Sequence, residues 1–369
     1  MNRKNTLAYL AAATVLLAAG AASAQSFNAN LPVTLDRWNY PFGDFGGART
    51  AAPIFWTVGA AGFDDRDAEF LIGFNTTGVI APGGPASSYA ITSLNISATV
   101  SVSNLSSSFQ YDPTHDLFNT YFEPTDPAYA ADSDIGRPIE IFACGYRPTS
   151  ATPGAPLWTA TTFRENSPFA SVGANPPPAR NNRNVFPVSF SAAGTPANCS
   201  NHVTGTAAEG GRFEVTPLAV GQAYFLTPGE LVPDLTEFIF TLDPSNPGAL
   251  AYVQAGLAEG RLNFIISSLH ASSQPGSGGA PLPYPTFYTK ENPFGIAARL
   301  SIAGSIGGVP VCAADVNADN VVDGNDFVAF INSFSVGDVS IDPVADVNLD
   351  NIIDGNDFVE FINAFGAGC

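Results

Sequence analysis

The most constraining feature of this 369-residue sequence is an internal repeat near its C-terminus. Ala314 to Asp338 aligns with Ala345 to Cys369 at an offset of 31, with 17 identities in 25 positions. The repeated core reads Asp-Val-Asn-x-Asp-Asn-x-x-Asp-Gly-Asn-Asp-Phe-Val-x-Phe-Ile-Asn-x-Phe. A duplication this close predicts two copies of one structural unit within the last sixty or so residues.

Each copy places oxygen-bearing groups at the spacing of a twelve-residue calcium loop. In such a loop positions 1, 3, 5, 9 and 12 supply side chains, and position 7 supplies a backbone carbonyl. Position 12 is Asp here, and position 6 is Asn, which tolerates a left-handed backbone. Two Ca²⁺ ions are therefore expected, because merely solvated acidic turns would not repeat a ligand pattern. The predicted ligands are Asp315, Asn317, Asp319, Val321, Asp323 and Asp326 in the first copy, and Asp346, Asn348, Asp350, Ile352, Asp354 and Asp357 in the second.

Each predicted loop runs directly into a predicted helix. Large apolar residues recur there at i, i+3, i+4 and i+7, which gives one apolar face per helix. Two such faces can pack against each other. The residues are Phe327, Phe330, Ile331 and Phe334 in the first copy, and Phe358, Phe361, Ile362 and Phe365 in the second.

The charge of the chain is concentrated in this tail. Residues 312–369 contain eleven acidic residues and no Lys or Arg. The chain from residue 25 onward has 12 basic and 33 acidic residues, a net charge of −21. Such a surface repels nucleic acid and anionic lipid, so partners of either kind are not expected, whereas it suits cation binding.

The paired loop–helix units resemble the dockerin type I family over residues 312–369. The closing Gly368-Cys369, with Cys312 just before the first loop, is similar to a dockerin variant ending in Gly-Cys on exported planctomycete proteins. The resemblance implies that calcium organises the fold and that the paired helices bind a cohesin-like or cell-surface protein. Loop positions 10 and 11, here Gly324-Asn325 and Gly355-Asn356, contribute to partner choice in that family.

The N-terminus predicts export. Arg3 and Lys4 precede the apolar run Leu7 to Ala19, and Ala22-Ser23-Ala24 forms an A-x-A cleavage site. Residues 1–24 are therefore interpreted as a signal peptide rather than a retained anchor, and the run is too short to span a bilayer. The mature chain is expected to be secreted, periplasmic or on the cell surface, with no transmembrane segment.

Four cysteines in an exported chain make disulfides plausible. Pairing within each predicted domain gives Cys144 with Cys199 and Cys312 with Cys369. The other two sets of pairings remain open from sequence. For Cys369, a free thiol used for attachment is the rival interpretation.

Residues 25–303 have the pattern of a β-sandwich, with a jelly-roll expected. Alternating apolar residues from Leu94 to Val102 predict a half-buried strand, and similar patterns surround Ile141, Phe240 and Ile302. One helix is predicted from Pro247 to Glu259, ended by Gly260. Residues 304–311 are predicted to form a linker.

The last elements of this domain are similar in order to DNRLRE-type and related carbohydrate-binding jelly rolls. The order is the helix ending at Gly260, the strand Arg261 to Ile266, Phe287 to Glu291, and the strand Arg299 to Ile302. The resemblance implies polysaccharide as a possible ligand. Several aromatic residues could stack on sugars, although most are expected in the core. They are Trp38, Tyr40, Phe42, Phe45, Phe55, Trp56 and Trp158.

The sequence carries few catalytic signatures. His115, His202 and His270 are far apart and are interpreted as surface or hydrogen-bonded loop residues. A cluster of acidic residues around Arg66 is interpreted as a polar turn; it consists of Asp64, Asp65, Asp67 and Glu69. The pair Asp132 and Asp134 is interpreted in the same way. The alternative interpretation is a cation site or a carboxylate pair for glycoside hydrolysis. The sequence therefore predicts an exported non-catalytic β-sandwich, either carbohydrate-binding or part of the envelope, anchored by its tail. A secreted polysaccharide-degrading enzyme, with Asp65 and Glu69 in a cleft, is the second hypothesis.

Overall fold

The computed structural model describes residues 25–41, 49–57, 64–101, 109–146, 183–205, 211–272, 282–307, 314–317, 321–337, 343–347 and 352–367. The predicted signal peptide lies outside the described residues. The described chain divides after Ile306 into two compact units, one of β-strands and one of helices. No helix among the described residues is long and apolar enough to cross a membrane.

The first unit is mainly β, as the sequence predicts. Its strands pair in antiparallel fashion throughout. Within the described residues they are β1 Gln25–Pro32, β2 Leu35–Asn39, β3 Ala51–Pro53, β4 Glu69–Asn75, β5 Tyr89–Thr99, β6 Ile139–Tyr146, β7 Val185–Phe190, β8 Pro196–Asn198, β9 Ala219–Val220, β10 Glu237–Thr241, β11 Arg261–Ser268, β12 Thr286–Tyr288 and β13 Arg299–Ile306.

Two large sheets enclose the core. The first has the order β1-β13-β5-β10, and the second has the order β2-β4-β11-β6-β7-β8 with β9 also paired to β6. Apolar side chains from both sheets, such as Ile96 and Phe240 from the first and Phe70 and Phe264 from the second, form one continuous buried cluster. This arrangement is a β-sandwich, in which the hydrophobic effect of burying both inner faces holds the sheets together.

The central strands of the second sheet are buried on both faces. All eight residues of β6 are buried, including Glu140. The alternation of Ile139, Ile141 and Ala143 therefore marks the face toward the other sheet, and the intervening positions are buried as well. Sequence alternation alone suggested a solvent-exposed face here, whereas a central strand does not have one.

The one helix predicted in this unit is confirmed. α1 spans Pro247–Glu259. The Asn246 side chain accepts from the backbone N–H groups of Gly248 and Ala249, and Gly260 ends the helix in the left-handed conformation at φ 80°. These are the start and stop signals that the sequence carries.

The predicted linker starts too early. β13 continues through Gly304, Ser305 and Ile306, which pair with β1 and β5. The register of β13 with β5 shifts between Ala303 and Gly304, and a Cβ at Gly304 would overlap the carbonyl oxygen of Ala90. A glycine at an irregularity inside a strand permits this close approach, so here it does not signal a linker.

The second unit consists of the two predicted loop–helix copies. α2 spans Gly324–Val336 and α3 spans Gly355–Ala367, with a short 3₁₀ turn at Pro343–Ala345 between them. Each helix begins at position 10 of its predicted twelve-residue loop, so the last three loop positions lie in the first helical turn. Their shared core is formed by Ala314, Phe330, Ala345 and Phe361.

Candidate functional site

Each loop meets its helix through the same capping arrangement. The Asp323 carboxylate accepts from the N–H of Asn325 at 2.7 Å, and Asp326 Oδ2 accepts from the N–H of Asp323 at 2.8 Å. In the second copy Asp354 accepts from the N–H of Asn356 at 2.7 Å, and Asp357 Oδ2 accepts from that of Asp354 at 2.8 Å. These reciprocal bonds form a capping box, which fixes loop positions 9 and 12 next to each other.

Asp326 also binds the start of its loop. Its Oδ1 accepts from the N–H of Asn317 at 3.1 Å, so loop positions 3, 9 and 12 converge on one carboxylate. This side chain is fully buried, as is Asp357 in the second copy. Burial opposes ionisation of Asp326, but hydrogen bonds from the N–H groups of Asp323, Asn317 and Val316 outweigh it and lower the pKa. Asp326 is therefore an anion at neutral pH.

The chemistry of the donor set fits a hard cation. The predicted ligands are carboxylate, amide and carbonyl oxygens, and residues 312–369 contain no Lys, Arg or His that could neutralise them. The helix N-termini at α2 and α3 offer only partial positive charge. Of the predicted ligands, Asp319, Asn348 and Asp350 lie outside the described residues. The structure describes Asp315, Asn317, Val321, Asp323, Asp326, Asp346, Ile352, Asp354 and Asp357, and their loops flank the N-termini of the two helices.

The two copies contact each other through equivalent phenylalanine rings. The rings of Phe330 and Phe361 stack at 4.2 Å with an angle of 2° between their planes. Phe327 lies 6.0 Å from Phe361, and Phe358 lies 6.1 Å from Phe330. The stacked pair joins both copies, so neither helix can keep its buried face without the other.

The predicted apolar faces are only partly buried. Phe330 and Phe361 are inaccessible, whereas Phe327, Phe358, Ile331 and Ile362 remain between 37% and 39% exposed. Val328 and its equivalent Val359 are 57% and 58% exposed. The second unit therefore presents two matching sets of exposed apolar side chains.

The cluster around Arg66 is not a surface turn. Asp65, Arg66, Asp67 and Glu69 are all buried. Asp65 accepts from the N–H groups of Val203 and Thr204 at 2.6 and 2.9 Å, and also from the Thr204 hydroxyl. The chain bends at Asp65 and Arg66 just before β4, as the predicted polar turn requires, but protein donors hold its carboxylates inside the fold.

Neither do Asp65 and Glu69 face a cleft. Glu69 is fully buried and accepts from Asn39 Nδ2 at 2.5 Å, while Arg183 reaches Glu69 at 3.4 Å and Asp64 at 2.5 Å. Such carboxylates cannot contact a polysaccharide. The enzyme hypothesis loses the pair of residues on which the sequence based it.

A chain of alternating charges runs from the buried Arg66 to the exposed Glu214. Arg66 contacts Glu140 at 2.6 Å, Glu140 contacts His115 Nδ1 at 2.5 Å, and His115 Nε2 contacts Glu214 at 2.9 Å. Burial lowers the pKa of His115, but the hydrogen bonds to both glutamates outweigh it and raise the pKa to about 10. Burial likewise raises the pKa of Glu140, but Arg66 and His115 together lower it to about 2. Arg66, Glu140 and His115 are therefore charged at neutral pH.

The other histidines are buried and neutral. His202 Nδ1 donates to the Cys199 carbonyl at 3.0 Å, and His270 Nδ1 lies 2.6 Å from the Ser268 hydroxyl. Burial lowers the pKa of each imidazole to about 3. Both are hydrogen-bonded loop residues, which is the second of the two alternatives that the sequence offered.

Cys144 and Cys199 do not form the predicted disulfide. Both are buried free thiols. Cys144 lies opposite Pro187 on β7, and the N–H of Cys199 donates to the Pro187 carbonyl from the other side of that strand. Cys144 and Cys199 are therefore two strands apart, a distance of about 10 Å in total, which is too long for a disulfide bond. Cys312 and Cys369 lie outside the described residues.

The outer face of the first sheet carries a polar groove of about 470 Å³. Tyr224 borders it with its side chain 74% exposed. Arg299 Nε donates to Asn30 Oδ1 at 2.8 Å, and Thr241 donates to Asn95 Oδ1 at 2.7 Å, so the polar groups are pre-ordered. The remaining lining residues are Ser97, Glu237, Ile239 and Ser301.

Sequence reasoning did not identify this groove, because its polar residues alternate along four separate strands. It also selected other aromatics. Trp56 and Phe55 are core residues, and Trp38 stacks on Tyr40 at 4.4 Å. Phe42, Phe45 and Trp158 lie outside the described residues.

A second cavity of about 460 Å³ is lined by Trp56, Tyr121, Phe122, Arg137 and His270 among others. Glu123 is the one acidic residue among its described lining residues, as Glu237 is in the polar groove. Neither cavity therefore contains a pair of carboxylates at a separation suited to glycoside hydrolysis.

Comparison of the chain with protein-family models, with curated proteins and with solved structures finds no match.

Proposed function

We propose that residues 312–369 form a calcium-dependent docking module of the dockerin type, which attaches an exported, non-catalytic β-sandwich to a protein partner. The observation that carries the proposal is the pair of buried position-12 aspartates, Asp326 and Asp357, each gathering its loop at a helix N-terminus. A unit with this many carboxylates and no basic residue needs a cation to hold its loops closed. Calcium is the cation that such oxygen donors prefer.

The partner is a cohesin-like or cell-surface protein. The exposed Val328 and Ile331 of α2, matched by Val359 and Ile362 of α3, supply the apolar contacts that a docking surface requires. The flanking acidic residues favour a partner with basic residues at its rim. Export through cleavage near Ala24 and a Cys312–Cys369 clasp belong to the same proposal, with attachment through a free Cys369 as the rival.

Replacing Asp326 and Asp357 by asparagine tests the metal sites. We expect each single variant of the mature chain to bind one Ca²⁺ fewer than the parent, and the double variant to bind two fewer, because position 12 supplies a carboxylate to each ion. Native mass spectrometry and calorimetric titration count the ions. Asp338→Asn, in the same tail but outside both loops, is the matched control and should lose none. An unchanged count in the double variant would contradict the proposal.

For the β-sandwich, the polar groove favours polysaccharide binding. The same proposal gives the sandwich a jelly-roll connectivity like that of carbohydrate-binding modules. Sugars need planar arrays of hydrogen-bonding groups and an exposed aromatic ring, and the groove offers both through Arg299, Asn30 and Tyr224. A purely structural role in the envelope needs neither.

A glycan array probed with the mature chain separates these roles. We expect binding to a restricted set of polysaccharides that falls at least tenfold in Tyr224→Ala. Phe294→Ala is the control, because Phe294 is similarly exposed at 70% but lies outside the groove. Equal binding by both variants would exclude this face, and no binding at all would favour the envelope role.

A further inference from the structure

The β-sandwich unit contains a cluster of acidic residues that the proposed docking function does not use. Asp112, Asp116 and Asp134 each direct one carboxylate oxygen toward the others, and these oxygens all lie within 4.8 Å of one another. Two ligands of one Ca²⁺, each about 2.4 Å from the ion, can be at most about 4.8 Å apart. The spacing is therefore compatible with one calcium ion between the three carboxylates.

An unsatisfied buried oxygen at this cluster points to a ligand. Asp112 is 98% buried, and its Oδ1 accepts from the N–H and the hydroxyl of Thr114, both at 2.8 Å. Among the residues that the structure describes, no donor lies within hydrogen-bonding distance of Asp112 Oδ2. A buried carboxylate oxygen without a partner destabilises the fold, and a bound cation would compensate it.

The other hydrogen bonds around Asp112 also provide too few donors for the carboxylate oxygens. The Thr114 hydroxyl lies 2.8 Å from Asp112 Oδ1 and 2.7 Å from Asp134 Oδ2, but it has one proton to donate. Arg137 reaches Asp116 and Asp132, both at 2.7 Å. Arg137 thus pairs with two carboxylates, and neither of these ion pairs involves Asp112 or Asp134.

The backbone at residue 136 packs closely against Asp112. Gly136 has φ 118°, and a Cβ there would lie 3.0 Å from Asp112 Cβ and 3.1 Å from the Gln110 carbonyl oxygen. The chain around residue 136 is thus pressed against Asp112.

We propose that Asp112, Asp116 and Asp134 bind one Ca²⁺, which fastens the two ends of the long excursion between β5 and β6. Asp112 stands near the described start of the excursion, and Asp134 stands just before β6. Through Asp116 the ion also holds Arg137, which lines the cavity of about 460 Å³. This site is independent of the two loops in the C-terminal unit.

Tryptophan fluorescence can follow this site alone, because all three tryptophans of the protein precede residue 159 and none lies in the C-terminal unit. We expect millimolar Ca²⁺ to raise the melting temperature of the fluorescence transition in the mature chain by roughly 3–8 °C. Asp112→Asn keeps the Oδ1 acceptor and the volume but loses the charge. It should melt higher than the parent in chelator and show no calcium shift.

The matched control is Asp243→Asn. Asp243 accepts from the N–H and the hydroxyl of Ser245 at 2.8 and 2.7 Å, the same local turn as Asp112 with Thr114, but it is exposed and stands alone. Asp243→Asn should keep the full calcium-induced rise in melting temperature. The double variant Asp326→Asn/Asp357→Asn should keep it as well. Asp134→Asn, at an exposed position, should lose the shift even if Asp112→Asn fails to fold.

Native mass spectrometry should show one Ca²⁺ fewer in Asp112→Asn or Asp134→Asn, and none fewer in Asp243→Asn. An equal calcium shift in the parent and in both site variants would overturn the proposal. No shift in the parent would overturn it as well, and an equal shift with Mg²⁺ would overturn the assignment to calcium.

Discussion

Replacing Phe330 by alanine is expected to unfold the whole C-terminal unit and to abolish both of its proposed calcium sites together. Phe330 is inaccessible and stacks on Phe361 of the other copy. Losing a buried Phe side chain costs about 3–5 kcal/mol, which equals the total that a core in so small a unit supplies. Because calcium binds only closed loops, loss of the shared core removes both sites.

Calorimetric titration and far-ultraviolet circular dichroism of the mature variant measure this. We expect two Ca²⁺ fewer than in the parent, with the helical signal of α2 and α3 lost. Phe361→Ala should behave identically because its contacts are equivalent. Val328→Ala, at a 57% exposed position of the same helix, should change neither quantity. Retention of one site in Phe330→Ala would mean that the two copies fold separately.

Replacing Arg66 by methionine is expected to destabilise the β-sandwich unit by about 3–5 kcal/mol, because Glu140 would remain buried without its principal partner. Arg66 also lies over the ring of Phe142 at 4.4 Å, and methionine retains part of that packing. Urea unfolding followed by tryptophan fluorescence measures the loss. Arg212→Met is the control: Arg212 pairs with Asp126 at 2.7 Å but is 44% exposed, so its loss should destabilise the unit far less.

The pH dependence of this destabilisation distinguishes a lost ion pair from lost packing. The pKa of Glu140 is lowered in the folded protein to about 2, below its ordinary value of 4.5. Its stabilising contribution is therefore present above about pH 4.5 and is lost as the pH falls toward 2. The difference between the parent and Arg66→Met should shrink over that interval. A difference that does not change with pH would indicate lost packing instead of a lost ion pair.

Local signals in the sequence predicted several elements closely. Asn246, Pro247 and Gly260 mark the ends of α1, and the structure places the helix between them. In the tail, each Asp-Gly-Asn-Asp sequence supplies the N-cap of a helix and the position-12 residue of the preceding loop. The starts of α2 and α3 therefore follow from a few adjacent residues. Such features depend on neighbours in sequence, which a reader of the sequence can see.

Features that depend on strand register could not be predicted in this way. Arg66 and Glu140 are 74 residues apart, and only the pairing of β4, β11 and β6 brings their neighbourhoods together. Register also separates Cys144 from Cys199, since β7 lies between them. The polar groove and the cluster at Asp112 likewise combine residues from distant segments, and a single sequence does not contain that information.

Hydrogen exchange of the mature chain, with and without calcium chelator, tests the central claim most directly. Folding of the C-terminal unit coupled to calcium predicts that amides in residues 327–334 and 358–365 are protected with calcium and exchange freely without it. Strands such as β4 and β11, inside the sandwich core, should stay protected in both conditions. Equal protection of both helices with and without chelator would contradict the claim, because the loops would then be dispensable for folding.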